Sequence, residues 1–299
     1  MMKLPHAIPY QGSKRTLAPL IGRYYPPEIK VHYEPFAGSA AMTIFAAHHR
    51  LAKRFVIADS LEPMVALHRM IVETPQKVAA AYRAVWQGQT PDQPGYFNEV
   101  RERFNTDGDP IDLLYLTCRC VKNAIRFNRH GKFTQSVDKR RLGMKPDKME
   151  KAVEGISQML KGKVEFRAGD WLETTGDAKP ADFVYMDPPY LGTTVGRDKR
   201  YHRQLLSEAL VGGLETLLER DVRFALSYDG MTGDKVYGPP LPDHLGLTRL
   251  LLHAGTSSQA TLSGKPETTV ESLYMSPGLV EPVDGVIKRE RPEQVALAF

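Results

Sequence analysis

The stretch "VHYEPFAGSAAMTIFAAHHR" runs from Val31 to Arg50. Its first four residues suit the end of a strand, Gly38 supplies a tight turn, and Ser39 is the expected N-cap of the Ala-rich helix that follows. The theme then recurs. "KRFVIADSLEP" (Lys53–Pro63), "KVEFRAGDW" (Lys163–Trp171), "ADFVYMDPPY" (Ala181–Tyr190) and "VRFALSYDG" (Val222–Gly230) are further short apolar runs, each leading towards an acid. Strands alternating with helical stretches predict an α/β fold with a largely parallel sheet. In such sheets ligands bind at the carboxyl ends of the strands, and Asp59, Asp170 and Asp187 all fall at expected strand ends.

Between Pro63 and Lys161 the pattern changes. Met64, Leu67, His68 and Ile71 share a helical face, "YFNEVRERFN" is helical in period, and "DPIDLLYLTCRCVKNAIRFN" reads as a buried helix. A helical insertion in the α/β core is therefore expected. The sequence divides into a sheet domain of residues 1–62 and 162–279, a helical insertion of 63–161 and an extended charged tail of 280–299.

The chain has 299 residues, a net charge of +5 and a pI near 9.0. The basicity is local: Arg119 to Lys148 holds ten basic residues against two acids. Arg126, Arg129, Lys132, Lys139, Arg140 and Arg141 lie in it, as a phosphate-tracking surface requires. The competing reading is a solvated basic face. The loop "GTTVGRDKRYH" adds Lys199 and Arg200. The two cysteines, Cys118 and Cys120, lack the partners of a metal site and read as inert thiols, so no metal is expected. No apolar run approaches a membrane span and no secretory leader is recognisable, which points to the cytoplasm.

The motifs narrow the chemistry. "EPFAGSAAM" has one glycine rather than the G-x-G-x-x-G of a nicotinamide oxidoreductase, which suits a cofactor without phosphates whose amino-acid end meets backbone N–H groups. Asp59, about twenty residues on, can hold a ribose or cap a helix. Asp187-Pro188-Pro189-Tyr190 suits an exocyclic amine as nucleophile. The Asp187 carboxylate and the Pro188 carbonyl can each accept one N–H, localising the nitrogen lone pair; the prolines fix the backbone. Tyr190 offers a π face to a base taken out of its stack. A simple D-P-P turn before a core tyrosine is the structural alternative.

These residues carry a resemblance. "PYQGSK" (Pro9–Lys14), "EPFAGSAAM", "ADSLEP", "RFNRHGKF" (Arg126–Phe133), "FRAGDW", "DPPY" and "FALSYDG" keep the order of motifs in the Dam family of DNA adenine-N6 methyltransferases, over roughly Ile8 to Gly278. The resemblance implies a Rossmann-like methyltransferase sheet, S-adenosylmethionine as cofactor and site-specific transfer to adenine N6 in double-stranded DNA. It places Tyr10 beside the cofactor and Lys14 on its methionine carboxylate. Phe36 and Gly38 line the methionine, Asp59 holds the ribose, Asp170 bonds the adenine amino group, and Trp171 flanks that ring. Asp187, with Pro188, Pro189 and Tyr190, carries the transfer. Asn128 joins the basic residues as a DNA contact. Thr134 stands where the family often has Asn, and the following P-x-G is missing, so a GATC target is not carried over.

The implied role is epigenetic marking or protection from a companion restriction enzyme. Two alternatives stay open: cytosine-N4 methylation, which shares the amine chemistry, and a catalytically silent DNA-binding protein on the same scaffold. The ending "QVALAF" (Gln294–Phe299) is similar to the short peptides that dock replication proteins on the bacterial sliding clamp, and also suits a tail packed on its own domain.

Overall fold

The computed structural model describes residues 4–90, 95–188, 207–232, 235–237, 240–256 and 268–279. Pro189, Tyr190, Lys199, Arg200 and the tail 280–299, with its clamp-like ending, lie outside these residues.

After a short α1 (Ala18–Ile21), the chain lays down β1 (Ile29–Glu34), α2 (Ala41–His48), β2 (Ala52–Asp59) and α3 (Glu62–Glu73). It continues through α4 (Pro75–Gln87), α5 (Tyr96–Asp107), α6 (Pro110–Arg119) and α7 (Pro146–Leu160). Then come β3 (Val164–Ala168), α8 (Trp171–Thr174), β4 (Phe183–Met186), α9 (Ser207–Glu219), β5 (Arg223–Thr232), β6 (Lys235–Tyr237), β7 (Thr248–Thr256) and β8 (Thr268–Met275). The strands form one sheet in the order β3-β2-β1-β4-β5-β8-β7, with β6 hairpinned onto β5. β3, β2, β1, β4 and β5 pair in parallel; β8 and β7 complete the sheet antiparallel.

β4 and the Phe55–Ala58 part of β2 are apolar on both faces, as strands covered on both sides must be. Phe55, Ile57, Phe183 and Tyr185 enter one core, with Leu67 and Ile71 of α3; Val56, Ala58, Val184 and Met186 enter the other, with Leu210 and Leu214 of α9. The helical insertion leaves the sheet after Asp59 and returns at Val164. Its first helix, α3, lies on β2 and β3, and its last, α7, packs on α2, α3 and α4; α6 packs on α3 and α4, and α5 on α6.

α3 and α4 are separate because Pro75 starts a new helix after Thr74. Two local expectations are corrected. The helix expected from Asp109 towards Asn128 stops at Arg119. Cys120 is extended and Lys122 and Asn123 are left-handed at φ 60° and 53°, so Arg126 and Asn128 sit on a small antiparallel ladder bridged by Phe127 and Phe133. Ser39 does not cap α2; the helix begins after a left-handed Ala40. Both cysteines are buried and unpaired, and burial pushes their thiols up to about 11 for Cys118 and about 12 for Cys120.

Candidate active site at the switch point of the sheet

The chain order reverses beside β1: β2 and β3 build to one side and β4 and β5 to the other. Such a reversal leaves a crevice above the carboxyl ends of the two central strands. Tyr33 pairs with Val184, and Glu34 with Ile57. Carried on along the strands, these registers set Phe36, Asp59 and Asp187 at one level above the sheet.

The turn after β1 is held from below. Glu34 is 4% exposed and accepts the N–H of Met42 at 3.3 Å and of Thr43 at 2.7 Å, so it satisfies the start of α2 in place of Ser39. Burial, opposed by these bonds, pushes its carboxyl up to about 7. His68 of α3 is buried, with its titration lowered to about 4 by burial, and its Nε2 meets the Gly38 carbonyl at 2.9 Å. The neutral ring donates there, since a carbonyl can only accept. Asp59 accepts from Gly38 N–H and Leu61 N–H, each at 3.0 Å. It thus ties two turns together while remaining partly exposed.

From above, the N-terminal element closes on the same turn. Ser13 and Ser39 hydroxyls are 2.8 Å apart. A Cβ at Gly38, where φ is +47°, would lie 3.2 Å from the Tyr10 ring, so a bare glycine lets ring and turn approach. This brings Tyr10, Gly38, Asp59 and Asp187 to one crevice, although Tyr10 and Asp187 are far apart in sequence.

Lys14 lies against the end of β4. Its ammonium, 5% exposed, meets Asp187 Oδ1 at 2.8 Å, Glu271 Oε2 at 3.4 Å and the Gly12 carbonyl at 3.2 Å. Each can accept from an ammonium N–H. Lys14 is thus a partner of the Asp187 carboxylate. Burial pushes Asp187 up to about 6; Lys14 pulls against that and Glu271 adds to it. Asp187 keeps 23% of its side chain exposed, enough to meet a ligand.

The loop amides differ from expectation. The N–H groups of Ala37, Gly38 and Ala40 turn onto Ala58 O, Asp59 Oδ2 and Ala37 O. They are not aimed at a ligand. Trp171 is 2% exposed, and a Cβ at Gly213 of α9 would collide with its ring. The structure gives it to the core; the half-buried Phe36, 5.9 Å away between ring centroids, is the aromatic nearer the crevice. Asp170 caps α8 by accepting Leu172 N–H at 3.0 Å, with the rest of its carboxylate partly exposed.

The donor set fits a nucleoside bearing an amino acid. Partly exposed carboxylates stand at the ends of β2 and β3, near Tyr10 and Phe36, over a glycine turn in which the Ala37, Gly38 and Ala40 amides are already used. A pyrophosphate would be repelled by those carboxylates.

On the insertion, Arg129, Lys132, Lys139, Arg140 and Arg141 are exposed and Arg126 is partly so. Asn128 accepts the N–H of His130 at 2.9 Å and of Lys132 at 3.1 Å, so its side-chain oxygen shapes the turn. Asp138, 6% exposed, accepts Arg140 N–H at 2.9 Å and Arg141 Nε at 2.8 Å, which holds its carboxyl below the usual range. Sequence reasoning missed Glu34, His68 and Glu271. His68 showed only as the polar member of the apolar face of Met64, Leu67 and Ile71, and Glu271 only as a polar residue on an alternating face with Leu273 and Met275; neither signal tells what the side chain meets.

Residues 10–232 match the family model described as D12 class N6 adenine-specific DNA methyltransferase. The modification methylase LlaI of Lactococcus lactis subsp. lactis is 27% identical over 200 residues, 62% of this chain and 30% of its own. The type II methyltransferase M.FokI of Planomicrobium okeanokoites is 24% identical over 225 residues, 73% of this chain and 34% of its own. The type II methyltransferase M1.LlaDCHI of Lactococcus lactis subsp. cremoris is 23% identical over 192 residues, 61% of this chain and 64% of its own. The chain thus spans about a third of the first two relatives.

Proposed function

Because the chain belongs to the D12 class N6 adenine-specific DNA methyltransferase family, we propose that it moves a methyl group from S-adenosylmethionine to adenine N6 in double-stranded DNA. The observation that carries this reading is Asp187: a half-desolvated carboxylate at the end of β4, 2.8 Å from Lys14, beside the switch point and level with Asp59.

S-adenosylmethionine, when bound, supplies an electrophilic methyl group on a sulfonium. The chain's own residues do the rest. Asp59 and Asp170 take the ribose hydroxyls and the amino group of the cofactor's adenine, and Tyr10 and Phe36 flank its apolar parts. Asp187, ionised above about pH 6, accepts one N–H of the target amine. The Pro188 carbonyl accepts the other, so the nitrogen lone pair leaves conjugation and points at the methyl group. The proton the amine must shed goes to Asp187 or to water. Pro189 and Tyr190 complete the element, with Tyr190 stacking on the flipped base. The basic turns of the insertion, with Lys199 and Arg200, neutralise phosphates and position the duplex.

The test is transfer of labelled methyl to DNA, followed by chromatography of the nucleosides. N6-methyladenine is the expected product. N4-methylcytosine, or no incorporation by a protein that binds DNA, overturns the reading. Single-molecule sequencing of DNA from an expressing, methylation-free host then reports the sequence context.

A further inference from the structure

β8 presents Glu271, Leu273 and Met275 to one face of the sheet. Leu273 and Met275 are fully buried in the core that also holds Ala7, Ile8 and Leu17 of the N-terminal segment. Glu271 is the polar member of this apolar row. It stands where β8 pairs with Gly230, next to the bulge in β5 at Asp229. That segment of the antiparallel side faces the N-terminal element, and there Glu271 Oε2 comes within 3.4 Å of Lys14 Nζ.

We propose that Glu271 is a positioning residue for Asp187, acting through Lys14. Two carboxylates share one ammonium. The division has two consequences. Glu271 and the Gly12 carbonyl hold the ammonium where it meets Asp187 Oδ1, so Lys14 is fixed on one of the two carboxylate oxygens. Glu271 also draws off part of the ammonium's field. A lysine committed wholly to Asp187 would quench the carboxylate as a hydrogen-bond acceptor. A lysine shared with Glu271 orients it and leaves it strongly basic. The antiparallel side of the sheet thereby takes part in a site otherwise built at the parallel centre. The inference rests on the reading of Asp187 as acceptor for the target amine.

The experiment begins with the free protein, so that it is independent of methyl transfer. Aspartate carboxyl carbons are followed by NMR against pH, with Asp187 assigned by its loss in Asp187→Asn. Glu271→Gln is expected to lower the Asp187 midpoint by about one unit, because it removes a like charge and releases Lys14 to Asp187. Lys14→Met is expected to raise it. In the Lys14→Met background the part carried through Lys14 is gone and only the direct like-charge repulsion remains, so the effect of Glu271→Gln changes in size. Glu271→Asp keeps the charge and holds the wild-type midpoint, and thermal melts exclude unfolded variants. The same variants then give rate–pH profiles: Glu271→Gln lowers kcat and moves the acid limb down while the KM for DNA holds.

A midpoint unmoved by Glu271→Gln in a folded protein overturns the inference and leaves Glu271 as a strand residue. So does an equal effect with and without Lys14. A midpoint that falls while the rate profile stays put supports the contact and overturns Asp187 as the acceptor, so the two failures are told apart.

Discussion

The switch-point cluster and the basic turns of the insertion are both built from charges, held in opposite ways. At the switch point Lys14 is 5% exposed and is matched by two carboxylates. On the insertion Arg140 is 84% exposed and Arg141 52%, around one buried acid, Asp138. The first arrangement desolvates its charges, which strengthens each interaction and shifts titrations. The second keeps its cations in water and spends its carboxylate on backbone shape. A group that must accept a proton-bearing amine needs the first environment. A group that must find phosphates along a duplex needs the second, because hydrated cations exchange counterions at little cost.

Removing the acceptor breaks the contrast most severely. Asp187→Ala should reduce the transfer rate by about 10² or more, the scale of losing a preorganised partner at a developing charge. DNA binding should persist, since the basic turns are untouched. Near-native turnover in this variant would end the mechanism.

The same desolvation sets a pH dependence. Asp187 titrates at about 6, raised from the ordinary carboxylate value. Above that pH it is ionised and accepts the amine N–H; below it, it is protonated and loses that capacity. Rate should therefore fall about tenfold per unit as pH drops below 6, while DNA affinity follows no such limb. A profile flat down to pH 4.5 would place the acceptor elsewhere.

Glu34 sharpens the point in terms of stability. Its folded carboxyl titrates at about 7, above its ordinary 4.5. A raised acid contributes stability that is complete below about pH 4.5 and is lost as pH rises through 7. Wild type should lose stability relative to Glu34→Gln across that window, at most about 1.4 kcal/mol per pH unit. Urea melts at pH 5 and pH 8 measure it; a gap between the two proteins that stays constant would mean that the amides of Met42 and Thr43 compensate fully.

What could be read from the sequence follows the same division. Asp59, Asp170 and Asp187 were legible because an apolar run ending in an acid is a local signal, and parallel strands bring such ends together without further information. The order of motifs gave the family. Glu271 was not legible, because its contact depends on where an antiparallel strand settles, long after Lys14 in the chain. The contacts of Lys14 with Asp187 and Glu271 were not legible either, because nothing local shows that the chain brings the three together. Ser39 read as a cap by type, yet a carboxylate five residues earlier occupies that role from inside the sheet. The helix expected through Cys120 fails for a tertiary reason: the chain turns left-handed at Lys122 and Asn123 to pair Cys120 with Val137 and Phe127 with Phe133.

The smallest effect separates two neighbours that sequence alone treats as equal. Arg140 is 84% exposed, and its side chain reaches Asp138 only at 3.9 Å. Arg141 donates to Asp138 at 2.8 Å, and its carbonyl is itself taken by Arg119. A guanidinium already shared with a carboxylate releases less of the counterion atmosphere when it meets a phosphate. Arg140→Gln should therefore reduce the slope of log affinity against log salt by about 0.9, and Arg141→Gln by less. Asp138→Asn removes the competing charge and should bring Arg141 towards the full contribution, though it also loosens the turn that Arg140 N–H closes. Equal slopes for all three variants and wild type would mean that this turn is only a solvated face, and that the phosphates are met elsewhere on the chain.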